Sequence, residues 1–154
     1  MNVEFLSLPV TRIDPSHGTR CFQIAFEPFH FKIDGQLFEV PIGFWTDWAS
    51  VGFAASIISP IDHAICRAAL GHDFLYFIGY ESQAICDLFI SRGMKVDGAA
   101  WWQWAVVWLG LTFGGKRTWD KYRRENKKHL QVSHIHDLAG GETVLKTTAG
   151  EWEQ

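Results

Sequence analysis

The run His72-Asp73-Phe74-Leu75-Tyr76 and a later Asp87 are the residues of this chain whose types and spacing could carry chemistry. Ile61, Ala64, Ile65, Ala68, Ala69, His72 and Tyr76 keep a helical period. Ala84, Ile85, Leu88 and Phe89 do the same over residues 82–94, and Gly79 stands between as a helix terminator. If the chain reverses near Gly79-Tyr80, His72 lies about eight residues before the turn and Asp87 about seven after, so at about 1.5 Å per residue they reach the same height on facing helices. An aspartate opposite a histidine fixes one imidazole tautomer and stabilises its protonated form, as a general base requires. Tyr76, one turn beyond His72 on the same face, can bond Asp87. Asp73 is rotated by about 100° and could offer oxygens to a hard cation such as calcium. The same residues could equally form a satisfied polar network that fixes helix register.

A second polar cluster, Thr46-Asp47-x-Ala49-Ser50, could bring Asp47 to a metal and Thr46 and Ser50 to the His72 centre. It could also cap its own loop, since such side chains bond nearby backbone amides. Ser50 lacks the strand–elbow–helix setting of a serine nucleophile. His63, nine residues before His72, is on the opposite side of the helix. His134, His136 and Asp137 lie in a segment read as a solvated tail.

The elements around these residues predict an α+β domain over residues 1–132, with a loosely ordered tail over 133–154. Phe29, Phe31 and Ile33 alternate with His30 and Lys32 up to Asp34-Gly35, and Phe38 and Val40 resume the alternation. Asp-Gly between two alternating runs predicts a hairpin through a type I′ turn. Residues 20–27 are strand-like, and residues 42–60 read as a structured loop or short helix. Ser59-Pro60 with Asp62 opens the first helix of the pair. Two further helices are expected after it: a tryptophan-rich one, then a basic one from Lys116 to His129. The expected fold is thus an N-terminal antiparallel hairpin or small sheet, a helical hairpin and two more helices.

Composition narrows the setting. The 154 residues are 47% hydrophobic, 20% charged and 15% aromatic, as a globular core needs. The net charge of −3 gives no basic field for nucleic acid, and none is expected as a partner. Three widely spaced cysteines make neither a disulfide framework nor a zinc ribbon. The first residues lack the pattern of a signal peptide. Residues 98–115 carry no charge, but Gln103, several glycines and central tryptophans favour a core helix over a membrane span. The basic run Lys116, Arg117, Lys121, Arg123, Arg124, Lys127 and Lys128 reads as a solvated face, or as a surface for anionic lipid.

Gly43-Phe44-x-Thr46-Asp47-x-Ala49-Ser50-Val51, His72-Asp73-x-Leu75-Tyr76, Asp87-x-Phe89 and Met94, with Gly110 and Trp119 trailing, resemble the motif series of an uncharacterised domain family of bacteriophages and prophages. The resemblance runs over residues 20–119. Gly52-Phe53 stand where that pattern continues with proline and a basic residue. It implies a phage-type protein with a phage or host protein as partner, in the host cytoplasm or in the virion. Over about thirty residues the chain is also similar to the histidine–aspartate phospholipases. That similarity implies that His72 activates water, Asp73 binds calcium, and Asp87 and Tyr76 orient His72. No glycine-rich calcium loop precedes His72, and the disulfides of the secreted enzymes cannot form. Two expectations stand: a virion, assembly or host-interaction module around a buried His–Asp centre, and a metal-assisted, phospholipase-like hydrolase.

Overall fold

The computed structural model of the chain describes residues 1–13, 22–24, 26–46, 63–125, 132–138 and 142–147. They fall in two compact units, one of Met1–Asp47 with Leu130–Gln154, the other of Trp48–His129. The architecture is α+β: among the described residues six strands come first, three helices follow, and two strands come after them.

The first unit holds β1 (Val3–Phe5), β2 (Thr11–Ile13), β3 (Phe22–Ile24), β4 (Phe29–Ile33), β5 (Gln36–Val40) and β6 (Trp45–Thr46). It also holds β7 (Val132–Leu138) and β8 (Glu142–Thr147). Five of these make a sheet in the order β1-β4-β5-β8-β7, and three make a second in the order β2-β3-β6. The β4–β5 hairpin turns at Asp34 and Gly35, whose φ angles of 49° and 87° are those of a type I′ turn. Alternation then decides the faces: Phe29, Phe31, Ile33, Phe38 and Val40 are buried, while His30 and Lys32 are not. Phe31 faces Phe38 across the ladder with ring centroids 5.1 Å apart and planes 4° apart. On the other face their neighbours His30 and Glu39 meet at 3.1 Å.

Residues 132–138 and 142–147, in the segment expected as a tail, are β7 and β8. They pair antiparallel with each other, and β8 runs parallel to β5, Leu37 opposite Val144. The partner strand lies about a hundred residues earlier, and pairing at such separation leaves no local signal in a sequence.

The second unit holds α1 (His63–Ile78), α2 (Gln83–Val96) and α3 (Trp101–Glu125). Among the described residues no helix is long and apolar enough to cross a membrane. Ile65, Ala68, Leu70, Phe74 and Leu75 bury apolar groups on several sides of α1, as a helix packed against more than one neighbour must. Gly79, at φ 70°, ends it, and the amides of Gly79 and Tyr80 both reach the Leu75 carbonyl. Ser82 then caps α2 by accepting from the Ile85 amide. At the far end of the hairpin Arg67 grips Asp97 through both of its oxygens. The tryptophan-rich and basic segments, expected as two helices, form the single helix α3. Glycine inside a helix costs only about 1 kcal/mol against alanine, so Gly110, Gly114 and Gly115 do not interrupt it.

Candidate functional site

His72 stands on α1 and Asp87 on α2, and the antiparallel hairpin brings them together. His72 Nε2 lies 3.2 Å from Asp87 Oδ1. The Tyr76 hydroxyl donates to the same oxygen at 2.5 Å. Gln83, one turn before Asp87, offers Nε2 to the other oxygen at 3.4 Å. Both oxygens of Asp87 are thereby engaged, in a setting where its residue is 4% exposed and His72 5%. The Tyr76 ring leans on the imidazole with centroids 4.2 Å apart. A buried carboxylate with donors on both oxygens meets the condition under which burial of charge is tolerated.

The other imidazole nitrogen, Nδ1, lies 3.5 Å from Asp73 Oδ1. Asp73 keeps a quarter of its side chain exposed, whereas that of Asp87 is 5% exposed. His72 therefore sits between two carboxylates. Burial by itself lowers its pKa, but the hydrogen bonds and charges of Asp73 and Asp87 outweigh that and raise it above the ordinary 6.5. Burial first, then the bond to Asp87, pushes the Tyr76 phenol up as well, so it remains a donor at any physiological pH. Cys86, next to Asp87 on α2, is buried, donates to the Tyr80 carbonyl, and has its thiol pushed up to about 12 by burial and then by the Asp87 charge.

The third wall comes from α3. Gly115 is buried there, and a Cβ on it would stand 2.6 Å from the Tyr76 hydroxyl and 3.2 Å from Gln83 Nε2. Only glycine lets the backbone of α3 approach so closely. One turn on, the Trp119 ring meets Tyr76 edge-on at 5.2 Å. One turn further, Arg123 lies over Trp119 and donates to the carbonyls of Tyr76 and Phe77, at 2.5 and 2.9 Å. These are orphan carbonyls at the end of α1, and Gly79 leaves the room in which the guanidinium lies.

Of the residues singled out from sequence, the structure gathers His72, Asp73, Tyr76 and Asp87 into one cluster. Thr46 belongs to the first unit, buried on β6 opposite Phe22. Asp47 and Ser50 lie outside the described residues, as do Ser59, Pro60 and Asp62. Gln83, Gly115 and Arg123 were not foreseen. The i, i+4 spacing of Gln83 and Asp87 carried a signal. Arg123 did not, because it sits in a basic run that reads as solvated. Among the described residues no three of His, Cys, Asp and Glu gather into a metal-binding group.

The sequence model of a family described as protein of unknown function (DUF1353) matches residues 24–111. That span contains His72, Asp73, Tyr76, Gln83 and Asp87, and stops short of Gly115, Trp119 and Arg123. No curated protein and no solved structure matches the chain.

Proposed function

We propose that this chain, which belongs to the DUF1353 family, is a phage-type protein that hydrolyses an ester or similar bond with His72 as general base. The observation that carries the reading is the unequal use of the two imidazole nitrogens. Nε2 is held by Asp87, itself held by Tyr76 and Gln83, while Nδ1 lies 3.5 Å from Asp73, a quarter of whose side chain is exposed. This is the division of labour a general base needs: one nitrogen fixes tautomer and orientation, the other meets the proton. In the reaction the neutral Nδ1 takes a proton from water as its oxygen bonds to the ester carbonyl carbon. The imidazolium returns that proton to the alkoxide as the carbon–oxygen bond breaks. Asp87 and Tyr76 act as positioning residues.

A hard cation prefers six to eight oxygen ligands. Asp73 supplies two of them, and Asp47, the other candidate, lies outside the described residues.

A second reading is a virion, assembly or host-interaction module in which the same cluster is scaffolding. The cover over His72, whose side chain is 6% exposed, favours it, together with the three helices that the network ties together. Turnover of carboxyl-ester and phospholipid substrates, with calcium and with a chelator, separates the two. The hydrolase reading expects turnover by the parent chain and its loss in a folded His72→Asn variant. A folded parent chain without turnover in either condition, or a variant as active as the parent, overturns it. Unfolding of His72→Asn, beside a folded parent chain that turns over none of these substrates, would favour scaffolding.

A further inference from the structure

Helix α3 presents two opposite ridges. Val107, Leu111, Gly115, Trp119 and Arg123 succeed one another at intervals of four; the first three are buried, and the last two belong to the cluster around Tyr76. The outer ridge is formed by Trp102, Leu109, Phe113, Arg117 and Arg124, which fall within about 80° of one another because residues seven and eleven apart return to nearly the same side of a helix. Along it Trp102 is 42% exposed, Leu109 48% and Phe113 85%. Trp101 and Trp108 are exposed to one side of it. Arg117 and Arg124 are exposed on the same face over the succeeding turns. Lys116 is already paired with Asp120 at 3.0 Å.

We infer that this ridge is a docking surface for an anionic lipid bilayer, on which α3 lies in the plane of the interface. Large apolar side chains in water at this density mark an interaction site. The cations that continue the same ridge indicate which kind of partner they meet. A protein interface is depleted of charge at its core, and lysine above all is rare there. An aromatic stretch continued by exposed cations instead matches the acyl boundary and phosphate layer of an anionic leaflet. Tryptophan prefers that boundary. Since no described helix can cross a membrane, the contact is superficial. The inference stands apart from hydrolysis, and binding is measured without turnover.

The test is flotation of the full chain with vesicles, alongside the blue shift of its tryptophan fluorescence. With phosphatidylglycerol vesicles the chain should co-float, and with pure phosphatidylcholine its partition should fall about tenfold or more. The double variant Arg117→Glu, Arg124→Glu should lower partition into anionic vesicles by about tenfold or more. Leu109→Ser with Phe113→Ser should lower it to a similar degree, since about two apolar side chains no longer reach the boundary. These side chains are exposed, so unchanged melting temperatures will show that the fold is intact. Absence of co-flotation with the anionic vesicles overturns the proposal, as does a reversal of the two arginines without effect. So does a stable oligomer that Phe113→Ser dissolves while no vesicle binding occurs, because the ridge would then join copies of the chain.

Discussion

The Tyr76 hydroxyl lies 2.5 Å from Asp87 Oδ1, on the very oxygen that His72 Nε2 approaches at 3.2 Å. Two donors one helical turn apart on α1 thus converge on a single acceptor of α2. The tyrosine bond is the shorter, and it restrains the carboxylate whether or not the imidazole carries its proton. Tyr76→Phe should lower stability by about 1.5–3 kcal/mol, the range for a hydrogen bond to a charged group. Denaturant titration measures the loss. If the hydrolase reading holds, kcat should fall more than KM rises, because a positioning group acts on the reacting geometry.

Asp87→Asn should be the more damaging change. It removes the charge that His72, Tyr76 and Gln83 all address, and breaking a buried charged pair costs about 3–5 kcal/mol. Circular dichroism through a denaturant series will give the loss. A change below about 1 kcal/mol would mean that the carboxylate does not hold the hairpin together.

The pH dependence has a definite sign. His72 has its pKa raised in the folded chain above 6.5. Its contribution to stability is therefore fully present below the unfolded value and is lost as pH rises through the folded one. The denaturation midpoint should fall across that window, and an imidazole titration followed by NMR should place the His72 midpoint above that of a free histidine. A general base must be neutral, so hydrolysis should rise over the same window in which stability falls. A His72 midpoint below 6.5 would contradict the arrangement of two flanking carboxylates.

Adjacent glycines on α3 provide a matched pair. Gly115→Ala would set a Cβ 2.6 Å from the Tyr76 hydroxyl, whereas a Cβ on Gly114 meets nothing within 4 Å. The first change should destabilise by about 1–3 kcal/mol through overpacking. The second should stabilise by up to about 1 kcal/mol through helix propensity. Thermal melts of the two variants side by side will decide it, and equal shifts would mean that α3 does not press on Tyr76.

Cys86 supplies a chemical check. With its thiol buried and its pKa pushed up to about 12, it should resist iodoacetamide at about pH 8 in the folded chain and react once the chain is unfolded. Peptide mapping by mass spectrometry reads this directly.

Much of this centre is legible in sequence, for a physical reason. His72, Tyr76 and Asp87 lie on two consecutive helices joined by a short turn, so helical rise and period alone bring them to one height. The β4–β5 hairpin is equally readable, because Asp34-Gly35 is a local turn signal. Gly115, Trp119 and Arg123 are harder, because a third helix delivers them and nothing local says which of its faces turns inward. The parallel pairing of β8 with β5 is harder still, since its partners are separated by most of the chain. The continuity of α3 leaves no local mark, because glycines and a shift in composition look like a boundary, whereas packing of one side is enough to hold the helix through them.

The hold of Arg123 on the end of α1 also bears on the order in which the chain assembles. As residues emerge in sequence, α1 and α2 can pair and His72 can find Asp87 well before Arg123 exists. The last carbonyls of α1, at Tyr76 and Phe77, must wait until a residue 47 positions beyond Tyr76 has been made. A nascent chain halted before that point would carry a hairpin with an open end, held by water where a guanidinium belongs. The span shared with the family stops at residue 111, so this final closure is contributed by the part of α3 that lies beyond the match.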